Sequence, residues 1–184
     1  MQTLAESMDE LLDKFLISPD KNWQPTDMLP NSNSPNFLDE VKELQELAME
    51  IDYDLFAVLI GDTITEEALP TYQSWLMGLD GVDQGERKGW TQWIRAWTAE
   101  ENRHGDMLNK YLYLSGRVNM KEMEISTQYL IGDGFDIHTA TDPYKNFVYT
   151  SFQEIATNVS HRRVGEFVNK QGNKQLAKMC AFVA

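Results

Sequence analysis

With 184 residues, 42% of them hydrophobic, the chain is long enough to bury a substantial core and too short to require a second domain. Its 16 Lys and Arg against 29 Asp and Glu give a formal net charge of −13, which repels a phosphate backbone and excludes general nucleic-acid binding outside a local basic patch. A single cysteine, Cys180, forms no internal disulfide and supplies no structural zinc site, which leaves a chain suited to a reducing compartment.

Apolar periodicity predicts helices at about 3–16, 37–51, 53–78, 87–116, 120–131, 143–169 and from 174 to the end, and no segment reads as a strand. The opening MQTLAESMDELLDKFL carries acids through its apolar stretch, unlike a basic secretory signal or an acid-poor transit peptide, and reads as the first helix of a cytoplasmic or already processed protein. Residues 17–36 hold four of the six prolines and read as a linker-like loop. The longest apolar run, Leu55 to Ile60, stops at Gly61 and Asp62, so no membrane span is expected. Pro70 lies four residues after Glu66 and removes the donor for its carbonyl, which predicts a kink there.

The glycine-rich GLDGVDQGERKG precedes the next long helix, and IGDGFDIHTATDP separates the last long ones. Residues 143–169 are apolar on more than one side, at Tyr144, Phe147, Val148, Tyr149, Phe152 and Ile155, as expected of a helix buried at a bundle centre. The last helix has an N-cap at Asn173 and no polar final turn, and it reads as a helix cut in the middle. Long helices with short connections predict an all-α antiparallel bundle, incomplete at its C-terminal end.

Several polar residues occupy core positions of these helices. The stripe Trp90, Ile94, Trp97, Leu108, Tyr111 passes through Glu101 and His104, which at i and i+3 project from one face and can converge on one ion. Glu66 sits on the stripe of Leu55, Leu59 and Leu76, whereas Glu67 points elsewhere. On the 143–169 helix Phe147, Glu154, His161 and Val168 recur at intervals of seven. Burying one unpaired carboxylate costs several kcal/mol, so several near one another call for cations. Oxygen-rich ligation with one imidazole suits iron or manganese better than zinc. Lone glutamates from two helices and a Glu-x-x-His from each of two others form the pattern of ferritin-like di-iron bundles, and this chain has both lone glutamates and one Glu-x-x-His. His161 lies about 10 Å along the axis from Glu154 and reads as a hydrogen-bonded core or interface histidine. His138 reads as solvated, Trp90, Trp93 and Trp97 as core, and Asp62 as an acceptor near Glu66 or an exposed residue.

The words WQPTDMLP, GDTITEEALPTYQ, RAWTAEENRHGDMLNKYLYLSGRV, QYLIG and YTSFQEIATNVSH, in this order from about Trp23 onward, resemble the soluble acyl-acyl-carrier-protein desaturases of the stearoyl type. The resemblance implies one ferritin-like di-iron domain over 1–184. It implies two iron ions per complete subunit, with Glu66, Glu101, His104 and Glu154 as iron ligands. Thr157 matches the threonine beside the oxygen-binding face of the irons, and Trp23 the surface tryptophan that passes electrons toward the iron-bound histidine. The implied activity is fatty acid desaturation, the introduction of a cis double bond into an acyl chain carried on acyl carrier protein, with O₂ and reduced ferredoxin, in a homodimer of the cytoplasm or, in a plant, the plastid stroma. Tyr72, Trp97, Met107, Phe147 and Thr150 are candidate liners of the acyl channel. Arg162 with Arg163, or Lys170, Lys174 and Lys178, are candidates for docking the acidic carrier. The family places a second Glu-x-x-His, and an acidic residue just before it, immediately after the segment matching LAKMCAFVA. The chain is therefore expected to stop before its remaining ligands, to hold fewer than two irons and to be inactive alone. The alternatives are another ferritin-like di-iron oxidase or monooxygenase, or an inactive truncated fragment that binds a partner or metal weakly.

Overall fold

The computed structural model of the protein describes residues 1–85 and 88–184, and all regular secondary structure among them is helical. The helices are α1 (Ala5–Phe15), α2 (Phe37–Met49), α3 (Tyr53–Glu67), α4 (Leu69–Met77), α5 (Gly89–Ser115), α6 (Met120–Asp133), α7 (Pro143–Lys170) and α8 (Lys174–Val183). Most ends fall within two residues of those expected; Arg87, the expected first residue of the helix observed as α5, lies outside the described residues. The helix expected over 53–78 is two helices. Pro70 leaves the Glu66 carbonyl without an i+4 donor, Ala68 departs from helical geometry at ψ 18°, and Pro70 sits in the first turn of α4, where no donor is needed. The expected kink is thus a full break, two residues beyond Glu66.

The other helix ends follow from local chemistry. Asp142 Oδ1 accepts the amides of Tyr144 and Lys145 at 2.9 and 3.2 Å ahead of Pro143, and Asn173 Oδ1 accepts that of Leu176 at 3.0 Å. Gly116 ends α5 in the left-handed region at φ 67°.

Four helices form an antiparallel bundle, and pairs of contacts at opposite ends give their directions. Arg117, just beyond α5, donates to the Ala48 and Ile51 carbonyls before α3, while Glu66 at the far end of α3 meets His104, so α3 and α5 run oppositely. Asp52 meets Gln171 and Glu66 meets His161, so α3 and α7 do too. Residues 171–173 turn the chain from α7 into α8, and Gly165 packs under Ala177 and Cys180. This is an all-α, ferritin-like helical bundle. The larger core joins Leu44, Leu59, Leu108, Tyr111, Val164 and Met179; a smaller one joins Leu76, Leu79 and Ile94 with Trp93, Trp97 and Phe147 packed on it.

Two expectations about exposure are corrected. The outer face of α7 is open, with Tyr144 80%, Phe152 69% and Ile155 62% exposed, because α3 and α8 cover only the face carrying His161, Val164 and Val168. The segment 17–36 is not linker-like: Pro25, Met28, Leu29 and Pro30 are buried against the bundle.

Helices α3 and α5 approach closely at Gly105, where an added Cβ would stand 3.2 Å from the Glu66 carbonyl carbon and oxygen and 3.0 Å from Glu67 Cγ. Gly105→Ala gains about 1 kcal/mol of helix propensity and incurs about 1–3 kcal/mol of overpacking against main chain. A net fall in Tm is expected, larger for Gly105→Val; a Gly105→Ala Tm at or above the wild type would show that α3 yields freely.

Candidate metal centre

Glu66 on α3 and Glu101 and His104 on α5 bring three ligand atoms within 4.8 Å of one another. His104 Nδ1 lies 3.1 Å from Glu101 Oε2 and 3.6 Å from Glu66 Oε2. The i, i+3 spacing on α5 sets the first distance, and the close approach at Gly105 sets the second. A cavity of about 30 Å³ adjoins the cluster, and Glu66, Glu101, Glu154, Thr157, Tyr72 and Trp97 line it. It has room for an ion or a water molecule and for little else.

The charges in this site are mutually dependent. Burial alone would raise the Glu66 pKa, but the imidazoles of His104 and His161 beside it outweigh that and hold the carboxyl below its ordinary value. Burial alone would lower that of His104, yet the Glu101 and Glu66 carboxylates raise it to about 9. Glu154 is exposed as a residue on the cavity rim. Desolvation where its carboxyl meets the cavity, then the charges of Glu101 and Glu66, push it up to about 7. Three carboxylates and one imidazole around a cavity of this size, with one carboxylate already resisting ionisation, fit a carboxylate-rich metal site: a cation would replace the protons that now balance the charge.

Of the residues singled out from the sequence, Glu66, Glu101 and His104 come together, and Glu154 faces them across the cavity. Thr157 lines the same cavity, its hydroxyl donating to the Gln153 and Glu154 carbonyls at 3.2 Å. Trp23 stacks on His104 with ring centroids 5.8 Å apart and planes 5° from parallel, and Arg103 lies over the Trp23 ring at 4.9 Å. Of the candidate channel liners, Tyr72 and Trp97 border the cavity and Phe147 packs with Trp93 on the smaller core. Thr150 donates to the Asn146 carbonyl, whereas Met107 is buried in the larger core.

The partner of His161 and the role of Gly105 escaped the sequence. His161, read as a hydrogen-bonded core or interface histidine, is 1% exposed and places Nε2 2.9 Å from Glu66 Oε1. Its sevenfold interval from Glu154 placed it on the right face but named no partner. Gly105 gave no sign of being a close approach beyond its place after His104.

Comparison with known proteins decides the family. The fatty acid desaturase family model matches residues 1–184. The chain belongs to the fatty acid desaturase family. It is 53% identical over 179 residues to the chloroplastic stearoyl-acyl-carrier-protein 9-desaturase 5 of Arabidopsis thaliana, covering 96% of this chain and 45% of that protein. A chloroplastic stearoyl-acyl-carrier-protein 9-desaturase of Gossypium hirsutum is 55% identical over 168 residues, 90% of this chain and 42% of that one. A seed-specific chloroplastic one of Brassica napus is 50% identical over 186 residues, 100% of this chain and 47% of that one. The chain thus spans less than half the length of these desaturases.

The raised His104 pKa has a stability consequence in the metal-free chain. Its contribution is fully present below the ordinary histidine value of 6.5 and is lost as pH rises through about 9. Denaturant unfolding should therefore show stability falling by about 3 kcal/mol across that window, with a flatter profile for His104→Gln. Equal slopes in the two proteins would show that His104 is not held as an imidazolium.

Proposed function

We propose that this chain contributes an iron-binding site to an acyl-acyl-carrier-protein desaturase, an oxidoreductase that introduces a cis double bond into a protein-bound acyl chain. The observation that carries the reading is the convergence of Glu66, Glu101 and His104 within 4.8 Å, with Glu154 across the adjoining cavity. Membership of the fatty acid desaturase family favours it over a ferroxidase or monooxygenase on the same kind of bundle. The relatives are named for stearoyl chains on acyl carrier protein and for the chloroplast, which supports that substrate class and a plastid stromal location. No helix among the described residues is long and apolar enough to cross a membrane.

Glu66, Glu101, His104 and Glu154 are the residues that would hold iron. Bound there, iron supplies the redox capacity by which O₂ is reduced to water while the acyl chain loses two hydrogens. The protein's own residues do the rest. Tyr72 and Trp97 wall the cavity and keep bulk water from it. Thr157 Oγ1 holds its proton toward main-chain carbonyls of its own helix, from which rotation about one bond brings it to a polar group in the cavity. Trp23, half-buried and stacked on His104, joins the protein exterior to a ligand ring by contact between π-systems, which suits electron entry from reduced ferredoxin. Exposed Arg162, Arg163, Lys170, Lys174 and Lys178 stand in a stretch, 155–184, whose sole acid is Glu166. In so acidic a chain they offer the local complementarity that an acidic carrier protein needs. A homodimer is proposed on the resemblance alone.

Anaerobic Fe(II) titration of the chain should show binding, weakened by about tenfold or more in Glu101→Gln. In the full-length protein supplied with stearoyl-acyl carrier protein, reduced ferredoxin and O₂, a new double bond is expected. Thr157→Val should retain iron and lose desaturation; loss of iron with that substitution would assign Thr157 to metal binding instead.

A further inference from the structure

We propose that His161 is a positioning residue for Glu66, committing one oxygen of that carboxylate to α7 so that the other faces the metal site. The inference rests on the metal reading above and concerns a residue that the ligand set does not include. A glutamate has three rotatable bonds and two equivalent oxygens, so burial alone does not decide which oxygen a metal meets. Here the two are distinguished. Oε2 faces His104 Nδ1 at 3.6 Å, while Oε1 is 2.9 Å from His161 Nε2. An ionised carboxylate only accepts hydrogen bonds, so Nε2 carries the proton and donates it.

The imidazole is fixed by burial: His161 is 1% exposed, and its other nitrogen, Nδ1, lies 3.6 Å from Asp62 Oδ2, an approach too long for a hydrogen bond. The opposite oxygen of Asp62 accepts from Ser160 Oγ at 2.8 Å. Asp62 and Glu66 are one helical turn apart on α3, and Ser160 and His161 are neighbours on α7, so the four form a bracket between the two helices. The bracket ties α3 to α7 next to the break at Ala68, where Pro70 has already removed the main-chain hydrogen bond that would otherwise steady Glu66. Outer partners of this kind orient a ligand and typically govern metal affinity as well as geometry.

A buried histidine also packs, so the test separates donation from filling. His161→Leu keeps volume and removes the donor; His161→Gln restores an N–H that reaches Glu66; His161→Met fills the space flexibly should the leucine variant fold poorly. Fe(II) and Co(II) are titrated anaerobically into the 184-residue chain, with helicity followed by circular dichroism and the Co(II) site by its visible absorption. The expected result is binding weakened by about 10–100-fold in the Leu and Met variants, with an altered Co(II) spectrum, and recovery of both in the Gln variant. Leu and Met variants that bind like the wild type would overturn the proposal, as would a Gln variant as weak as Leu, since the ring itself would then be the requirement. A wild-type chain that binds neither metal would remove the metal centre, and the positioning role with it.

Discussion

Ionised carboxylates inside a protein need positive charge beside them, and this bundle aims three at one cavity. Glu66 comes from α3, Glu101 from α5 and Glu154 from α7, so their mutual repulsion acts between helices rather than within one. In the protein alone the compensation is partial. His104 and His161 keep Glu66 charged, whereas at Glu154 desolvation and the charges of Glu101 and Glu66 outweigh the attraction of His104 and push its pKa up to about 7. A divalent cation resolves the same conflict more completely, because it takes the place of protons held by His104 and Glu154.

Backbone features beside the charged side chains make this convergence possible. Gly105 lets α5 approach the Glu66 carbonyl, and the break at Ala68 ends α3 just past Glu66 instead of carrying the helix on along its own axis. Trp97, packed on the smaller core and lining the cavity, and Trp23, packed on the larger and stacked on His104, place the site at the seam between the two hydrophobic clusters. The apolar interior thereby supplies the low dielectric that makes the charge problem severe.

Glu66, Glu101 and His104 were legible because a polar residue on an apolar stripe is anomalous in one dimension, and a helix turns that anomaly into a shared direction. The helix positions were legible for the same reason. What escaped depends on which element covers which. The apolar faces of α7 suggested burial, but composition does not say what lies against a face, and Phe152 and Ile155 are open. The hydrogen bond from His161 to Glu66 spans two helices 95 positions apart in sequence and has no periodic signature. Trp23 lies in a segment without periodicity, and only the likeness to known desaturases drew it to the site.

The Trp23–His104 stack has a consequence for the proline-rich segment around it. Residues 17–36 contain no α-helix of their own and are fastened by a few buried side chains, by the Arg103 hydrogen bond to the Trp23 carbonyl, and by that ring contact. An ion held by His104 would firm the surface on which Trp23 rests, and with it a stretch of backbone more than half of whose residues are exposed. The rate of nicking between α1 and α2 would then gauge, from outside, whether the interior holds a metal.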